Sequence, residues 1–176
     1  MVENEQLAIE TKKGNQKAFE ILVKRFQQPI YTLCYRFLGN RADAYDASQE
    51  TFIRLYQKIH LFDTSQPFKP WLYRMAINIC NDHYKKKKTW ENLDTSLKST
   101  WGNPQEDLEK TQLQKIIQEA VFRLPEKYRA AIILRHLRDL EYEEIAQVLD
   151  LPLNTVKTHI RRGRELLRKD LKEVLS

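Results

Sequence analysis

The stretch YEEIAQVLDLPLNTVKTHIRRGRELLRK, residues 142–169, decides how the chain is read. A helix-turn-helix needs a small residue where its helices touch, a tight turn, and apolar residues at set offsets on both helices. Ala146 supplies the small contact, Asp150 to Leu153 forms the turn, and Ile145, Leu149 and Leu151 face inward before and at it. Val156 and Ile160 face back from the second helix, followed by Leu166 and Leu167. Pro152 is tolerated because it lies outside a helix interior, and Asn154 is the expected N-cap of the second helix. Lys157, Thr158, Arg161, Arg162, Arg164 and Arg168 are left facing outward. Residues 152–172 carry seven Lys/Arg against two acids, whereas Glu141, Glu143 and Glu144 crowd the preceding helix. The positive charge is therefore placed rather than spread. A helix about 10–12 Å across fits the major groove of B-DNA, where an arginine pairs bidentately with guanine. An amphipathic hairpin with a solvated basic face would share the charge run but not the Ala–turn–Val spacing.

Outward from this stretch, the chain divides by charge and composition. Residues 1–88 hold 15 Lys/Arg against 9 Asp/Glu, residues 89–110 hold 2 against 5, and residues 111–176 hold 13 against 10. The middle segment, TWENLDTSLKSTWGNPQEDLEK, has no sustained period and contains Gly102-Asn103-Pro104, so it reads as a linker joining two small domains. Both flanking blocks are helical by pattern, which makes the expected fold all-α, the second domain ending in the helix-turn-helix. In the first block, Ala18, Ile21, Leu22 and Phe26 and then Ile30, Leu33, Cys34, Phe37 and Leu38 step at three and four. Pro29 lies between the two runs and is expected to bend or reset that helix, which Gly39-Asn40 closes. A second helix carries Asp43, Asp46 and Glu50 in its N-terminal half and an apolar stripe of Tyr45, Phe52, Leu55, Tyr56 and Ile59. A third runs from about Pro70 to Tyr84. In the second block, Leu113, Ile116, Ile117, Ala120 and Leu124 form one face, and Pro125 opens a further helix.

Hydrophobic residues make up 41% and charged residues 31% of the 176, too apolar for wholesale disorder. A net charge of +6 suits a polyanionic partner without proving one. Two cysteines, Cys34 and Cys80, cannot build a disulfide framework and read as buried thiols of a reducing cytoplasm. The opening MVENEQLAIETKKGNQ has no apolar core for a signal peptide, and nowhere do 18 apolar residues run together, so a soluble intracellular protein with no membrane insertion is expected. No catalytic triad, phosphate loop or metal cluster is present, and His60, His83, His136 and His159 are scattered. No enzymatic activity, metal or cofactor is expected.

FKPWLYRMAINICNDHYKKKK, residues 68–88, is less direct. Leu72, Met75, Ala76 and Ile79 form a buried stripe, which leaves Trp71, Arg74 and Asn78 on another face ahead of four consecutive lysines. Aromatics beside cations stack on unpaired bases while neutralising phosphates. A core tryptophan followed by a solvated lysine tail fits these residues equally well.

Three segments taken in order, DAYDASQETFIRLYQKIHLFD (43–63), the 68–88 stretch, and LPEKYRAAIILRHLRDLEYEEIAQVLDLPLNTVKTHIRRGRELLRK (124–169), resemble an extracytoplasmic-function (ECF) sigma factor. These are minimal bacterial sigma factors with regions 2 and 4 only. The resemblance covers about residues 8–88 and 108–172, and implies a promoter-specificity subunit of RNA polymerase acting in the cytoplasm at the nucleoid. It implies that Asp46, Gln49 and Glu50 bind the β′ clamp of core polymerase, and that the second domain meets the β flap. The loop Asp63, Thr64, Ser65 with Phe68 and Lys69 would hold an extruded base of the promoter −10 element. Trp71 and Asn78 would act where the strands part, Arg74 would contact the same −10 element, and Lys85, Lys86, Lys87 and Lys88 would act on phosphates. Thr155, Lys157, Thr158, Arg161, Arg162 and Arg164 match positions facing the −35 element. Arg161 stands where the family often has an apolar or aromatic residue, and Tyr45 and Ser48 depart from the commoner core-binding pattern. An anti-sigma partner, membrane-anchored or free, is also implied. A two-component or quorum-type regulator carries a similar helix-turn-helix but needs an upstream α/β receiver or ligand-binding domain, where residues 1–88 read as helices. An RNA-binding helical protein would bind transcripts without polymerase.

Overall fold

The computed structural model describes residues 2–93, 112–138 and 140–175. In chain order these form α1 (Val2–Lys12), α2 (Gln16–Leu38), α3 (Arg41–Lys58) with a 3-10 turn (Ile59–Leu61), α4 (Phe68–Leu93), α5 (Gln112–Arg123), α6 (Glu126–Arg138), α7 (Tyr142–Leu149) and α8 (Leu153–Leu175). Among the described residues there is no strand, as expected.

Local chemistry sets most boundaries. Asn15 caps α2 by accepting the Ala18 N–H, and Gly39, at φ 80°, ends it by donating its N–H to the Tyr35 carbonyl. Asn40 then caps α3 by accepting the Asp43 N–H at 2.8 Å. α2 continues through Pro29 without a break, contrary to the expected reset. A proline inside a helix costs about 3 kcal/mol. Phe26, Ile30, Leu33 and Phe37 are buried on one continuous face around it, and each such side chain contributes about 1.5–3 kcal/mol. Burial wins.

α4 is longer than its pattern suggested, and reaches past the expected linker start to Leu93. At its N-terminus the Glu5 carboxylate accepts the Phe68 N–H at 2.9 Å. Beyond Tyr84, Lys87 donates to Asp43 at 2.9 Å and fastens the lysine turn to α3. Lysine is a good helix former, so the run favours continuation. Of the expected linker, residues 94–110 lie outside the described residues. α1 had no signal in the pattern. It is held by Arg25, which donates to Asn4 and Glu3, and by Lys12, which donates to the Phe62 carbonyl.

α2, α3 and α4 enclose the first core, with Leu22, Leu33, Phe37, Leu55, Phe68 and Leu72 wholly buried. Cys34 and Cys80 lie inside it as free thiols, and burial pushes the Cys80 thiol well above its ordinary value, with Cys34 adding to the effect. Tyr45 and Tyr56 were expected on the buried stripe of α3 but are more than half exposed, while Phe52, Leu55 and Ile59 are buried. In the second half, α8 packs against α5, α6 and α7. Gly163 makes the α6–α8 approach possible, since a Cβ there would stand 2.7 Å from Ile132 Cγ1.

The two halves also pack against each other, α2 on α5 and α6, and α4 on α7. At the junction Arg129 is 2% exposed. Its guanidinium donates to the carbonyls of Phe37 (2.9 Å), Phe122 (2.6 Å) and Leu124 (3.0 Å), and sits over the rings of Phe122, Tyr84 and Phe37. A buried cation without such partners would cost several kcal/mol. Burial lowers the Arg129 pKa from its ordinary value, and the Tyr84 hydroxyl opposes that shift. Beside it, Gln118 accepts from Arg36 at 3.0 Å and donates to the Tyr35 and Arg36 carbonyls. The Phe122 ring approaches Gly39 so closely that a Cβ would meet it at 2.9 Å. Buried packing absorbs Ala120 and Val121 of α5 and Leu124 just after it, but Leu113 and Ile117 remain exposed, against the expected face.

Candidate nucleic-acid and partner surfaces

In the stretch expected to form a helix-turn-helix, α7 and α8 flank a three-residue turn at 150–152. Glu141 and Glu144 form a capping box at the start of α7, with the Glu141 N–H donating to Glu144 at 2.9 Å. α7 ends at Asp150, whose φ of 54° is left-handed, a conformation aspartate tolerates better than most residues. The turn closes where Leu151 N–H donates to the Ala146 carbonyl at 3.1 Å. Ile145, Val148, Val156 and Ile160 are buried beneath it. Asn154 is not the N-cap of α8. The helix starts one residue earlier, at Leu153, and the Pro152 carbonyl accepts from Thr155 and Val156.

α8 then presents its basic face. Lys157, Arg161, Arg162 and Arg164 are exposed, and Thr155 and Thr158 are half-buried at its edge. Arg161 pairs with Glu165 at 2.7 Å, and Arg164 donates to His136 at 3.2 Å. Arg162 donates to the Tyr128 hydroxyl at 3.4 Å, and this contact, helped by Lys127, pulls the phenol below its ordinary value. His159 stands edge-on to Tyr128, and burial together with Lys127 and Arg162 holds its imidazole down. Its neutral form is therefore favoured at neutral pH. Leu166, expected inward, is 41% exposed, while Leu167 packs on the core.

The first half carries two separate surfaces. On α3, Asp46 and Gln49 are exposed beside Tyr45, Ile53 and Tyr56. Ile53 lies about two turns and Tyr56 about three turns beyond Tyr45, so the three share one exposed face of α3. Ile53 was missed in the sequence because its register departs from the buried stripe. Glu50 is half-buried and tied to Arg54 at 2.6 Å and His83 at 2.8 Å.

The second surface joins the 63–67 loop to α4. Asp63 accepts from the Ser65 N–H and hydroxyl, which holds its carboxyl below the ordinary value and folds the loop back. Thr64 and Ser65 are exposed, and Lys69 is half-buried. Phe68 does not join them: it is wholly buried, edge-on to Phe26 and Phe62. Expected among the base-holding residues, its side chain has no exposed surface in this structure. Trp71 is half-buried against Phe62 and Phe68, so it is both anchored and presented. With Arg74, Asn78, Arg54, Lys58 and Leu61 it lines an open cleft of about 220 Å³. Arg74 is paired with Asp150 of the second half at 3.1 Å. Further along α4, Lys85, Lys86 and Lys88 are exposed, while Lys87 is the lysine bonded to Asp43.

Among the described residues no three His, Cys, Asp or Glu are grouped to hold a metal ion, and no helix is long and apolar enough to cross a membrane. The residue that sequence reasoning missed most plainly is Arg129; its signal is a lone basic residue within the apolar run YRAAIIL.

Comparison with known proteins matches residues 22–90 to sigma-70 region 2 and residues 114–167 to sigma-70 region 4. The chain is 40% identical over 177 aligned positions to the ECF RNA polymerase sigma factor SigW of Bacillus subtilis, covering 94% of this chain and 95% of that one. Its fold is similar to CnrH in complex with the cytosolic domain of CnrY, with a TM-score of 0.78, 24% identity, and coverage of 97% and 98% of the two chains. It is also similar to the sigma factor RpoE in complex with the anti-sigma factor NepR from Bartonella quintana, at a TM-score of 0.76, 20% identity, and coverage of 89% and 98%. With a basic helix-turn-helix in one half, a tryptophan-lined cleft in the other, and this similarity along nearly its whole length, the chain belongs to the ECF family of RNA polymerase sigma factors.

Proposed function

We propose that the chain binds RNA polymerase core in the bacterial cytoplasm, brings it to promoters by reading −35 and −10 elements, and assists strand opening without covalent chemistry of its own. The observation that carries this reading is the presence of two unlike polyanion surfaces, one shaped for duplex and one for unpaired bases. Lys157, Arg161, Arg162 and Arg164 project from a helix that fits a major groove. Trp71, Asn78 and the cations around them offer a stacking face beside phosphate-binding charge. Asp46, Gln49 and the exposed Tyr45, Ile53 and Tyr56 form the surface for the β′ clamp of core polymerase. The second domain meets the β flap.

In operation, α8 docks on the −35 duplex and fixes position. The loop at 63–67 and the Trp71 cleft then capture −10 bases as the strands part, and Lys85, Lys86 and Lys88 hold the backbone. Unstacking a base costs a few kcal/mol, so trapping the opened strand is what drives initiation forward. A structurally similar sigma factor is known in complex with an anti-sigma factor, and a partner of that kind, membrane-anchored or free, is proposed here as the holder of the inactive state.

Run-off transcription with purified core polymerase and a promoter library tests the reading. Start sites should appear only when the chain is added; identical start sites with core alone would refute it. Arg162→Ala should relax discrimination at one −35 position by about 1–3 kcal/mol, the worth of a bidentate contact.

A further inference from the structure

We propose that Tyr128, which belongs to α6 and not to the helix that meets DNA, is a positioning residue for Arg162: its hydroxyl holds one corner of the guanidinium and aims the other edge at a base of the −35 element. The inference rests on the −35 role proposed for α8 above and deepens it.

The contact is built from both helices. His159, Arg162 and Gly163 are three and four residues apart and share one side of α8. Without a Cβ at Gly163 that side has a hole, and Tyr128 Cβ lies 3.5 Å from where such an atom would stand. Tyr128 fills the hole; it is 8% exposed, and its ring stands edge-on to His159 with centroids 5.3 Å apart. Its backbone is fixed in the first turn of α6, where its N–H donates to the Pro125 carbonyl at 2.9 Å. With ring and backbone both held, the hydroxyl has a set position, and there it accepts from Arg162 Nη1 at 3.4 Å.

The chemistry favours positioning over packing. A tyrosine buried for its ring alone has no need of the hydroxyl, and here the hydroxyl reaches an exposed cation on the basic helix. A guanidinium carries five N–H donors, and a bidentate grip on guanine O6 and N7 needs two. One corner on Tyr128 therefore leaves the Nε–Nη2 fork for the base. The acceptor is a phenol and not a carboxylate, so Arg162 is held without an ion pair; Arg161, by contrast, is tied to the Glu165 carboxylate at 2.7 Å. Arg162 in turn draws the phenol below its ordinary pKa, and Lys127, over the ring at 5.0 Å, adds to the effect. A long side chain ordered before the duplex arrives loses less freedom on docking, and its fork meets one base position instead of several.

The test compares holoenzymes assembled from core polymerase and the full chain, on promoters altered one base pair at a time across the −35 element. Relative affinities are read by competition. Arg162→Ala identifies the position that Arg162 reads. Tyr128→Phe keeps the ring and removes only the hydroxyl. It should lower discrimination at that same position by about twofold to tenfold, the contribution of one hydrogen bond, and leave the other positions alone. Added to Arg162→Ala it should change nothing further. Its midpoint in urea should stay that of the unmodified chain. If the midpoint falls, the cycle with Arg162→Ala still decides, since a packing loss survives that substitution and a positioning loss does not. Unchanged discrimination in Tyr128→Phe overturns the positioning role. So does an equal loss at every position, or one that persists in the Arg162→Ala background. If Arg162→Ala itself leaves every −35 position unchanged, the −35 reading of Arg162 has failed and the inference falls with it. If Arg162→Ala relaxes one position and Tyr128→Phe none, that reading stands and the positioning alone is overturned.

Discussion

Gly163→Ala separates two opposed effects whose sizes can be compared. Gly163 lies inside α8 with no left-handed backbone, so conformational preference alone favours alanine by about 1 kcal/mol. Packing says the opposite. The new Cβ would stand 2.7 Å from Ile132 Cγ1 and 3.0 Å from its Cδ1, nearer than such atoms come, with Tyr128 Cβ at 3.5 Å behind them. Ile132 is 4% exposed within the second core and has little room to retreat. Overpacking of this kind costs about 1–3 kcal/mol. The net expectation is destabilisation of about 0–2 kcal/mol, read as a lower midpoint in denaturant unfolding with an unchanged slope. Because α8 must shift away from α6, the contact between Arg162 and Tyr128 should also loosen and binding to a −35 duplex should weaken. Ile132→Ala removes both clashing carbons, so Gly163→Ala should cost less in that background, and the double-mutant cycle should show a favourable coupling of about 1 kcal/mol or more. If Gly163→Ala stabilised the protein, or the cycle were additive, the close packing of α6 on α8 would be refuted as the reason for glycine.

Trp71→Ala should leave binding to a −35 duplex intact while slowing promoter opening, measured by permanganate reactivity of unpaired thymines. Equal loss of both would mean that Trp71 serves only the aromatic cluster with Phe62 and Phe68. Ile53→Ser should lower affinity for core polymerase at least several-fold, with unfolding free energy unchanged within about 0.5 kcal/mol because the side chain is exposed; titration by fluorescence anisotropy reads the first and urea melts the second. Asp43→Asn tests the tie to Lys87. Burial raises the Asp43 pKa, but the hydrogen bonds from Asn40 and Lys87 outweigh it and leave it below its ordinary 3.8. Its contribution is thus present above that value and lost as pH falls through the folded-state value. The variant should be less stable at pH 7, and the gap should narrow on acidification towards pH 3.

Much of this was legible because periodicity and punctuation agree. Gly39-Asn40, Pro125 and the Ala146 spacing each mark a boundary whose local hydrogen bonding is complete within a few residues. Reading failed where distant residues decide. Pro29 stays inside α2 because α3 and α4 bury the helix on both sides of it. α1 has no marked apolar face and is held by Arg25 and Lys12, contacts between sequence-distant residues. Tyr45 and Tyr56 look like core by spacing, yet the stripe that α4 covers is the one through Phe52 and Leu55. For the surfaces, charge and exposure could be read for Lys157 and Arg162. The burial of Phe68, the pairing of Lys87 with Asp43 and that of Arg74 with Asp150 all come from chain segments brought together only by folding.

The unbroken length of α4 turns it into a ruler. Trp71 and Lys85 are fourteen residues apart on one helix, which sets them about 21 Å apart at about 1.5 Å per residue. That is about six steps of duplex at about 3.4 Å each. Had the helix stopped at Tyr84, the lysines would swing on a loose chain and grip phosphates at any separation. Under the proposed function, a rigid rod would set the backbone these lysines hold a counted number of nucleotides from the point where Trp71 would part the strands, and the size of the opening would then be written into the helix itself.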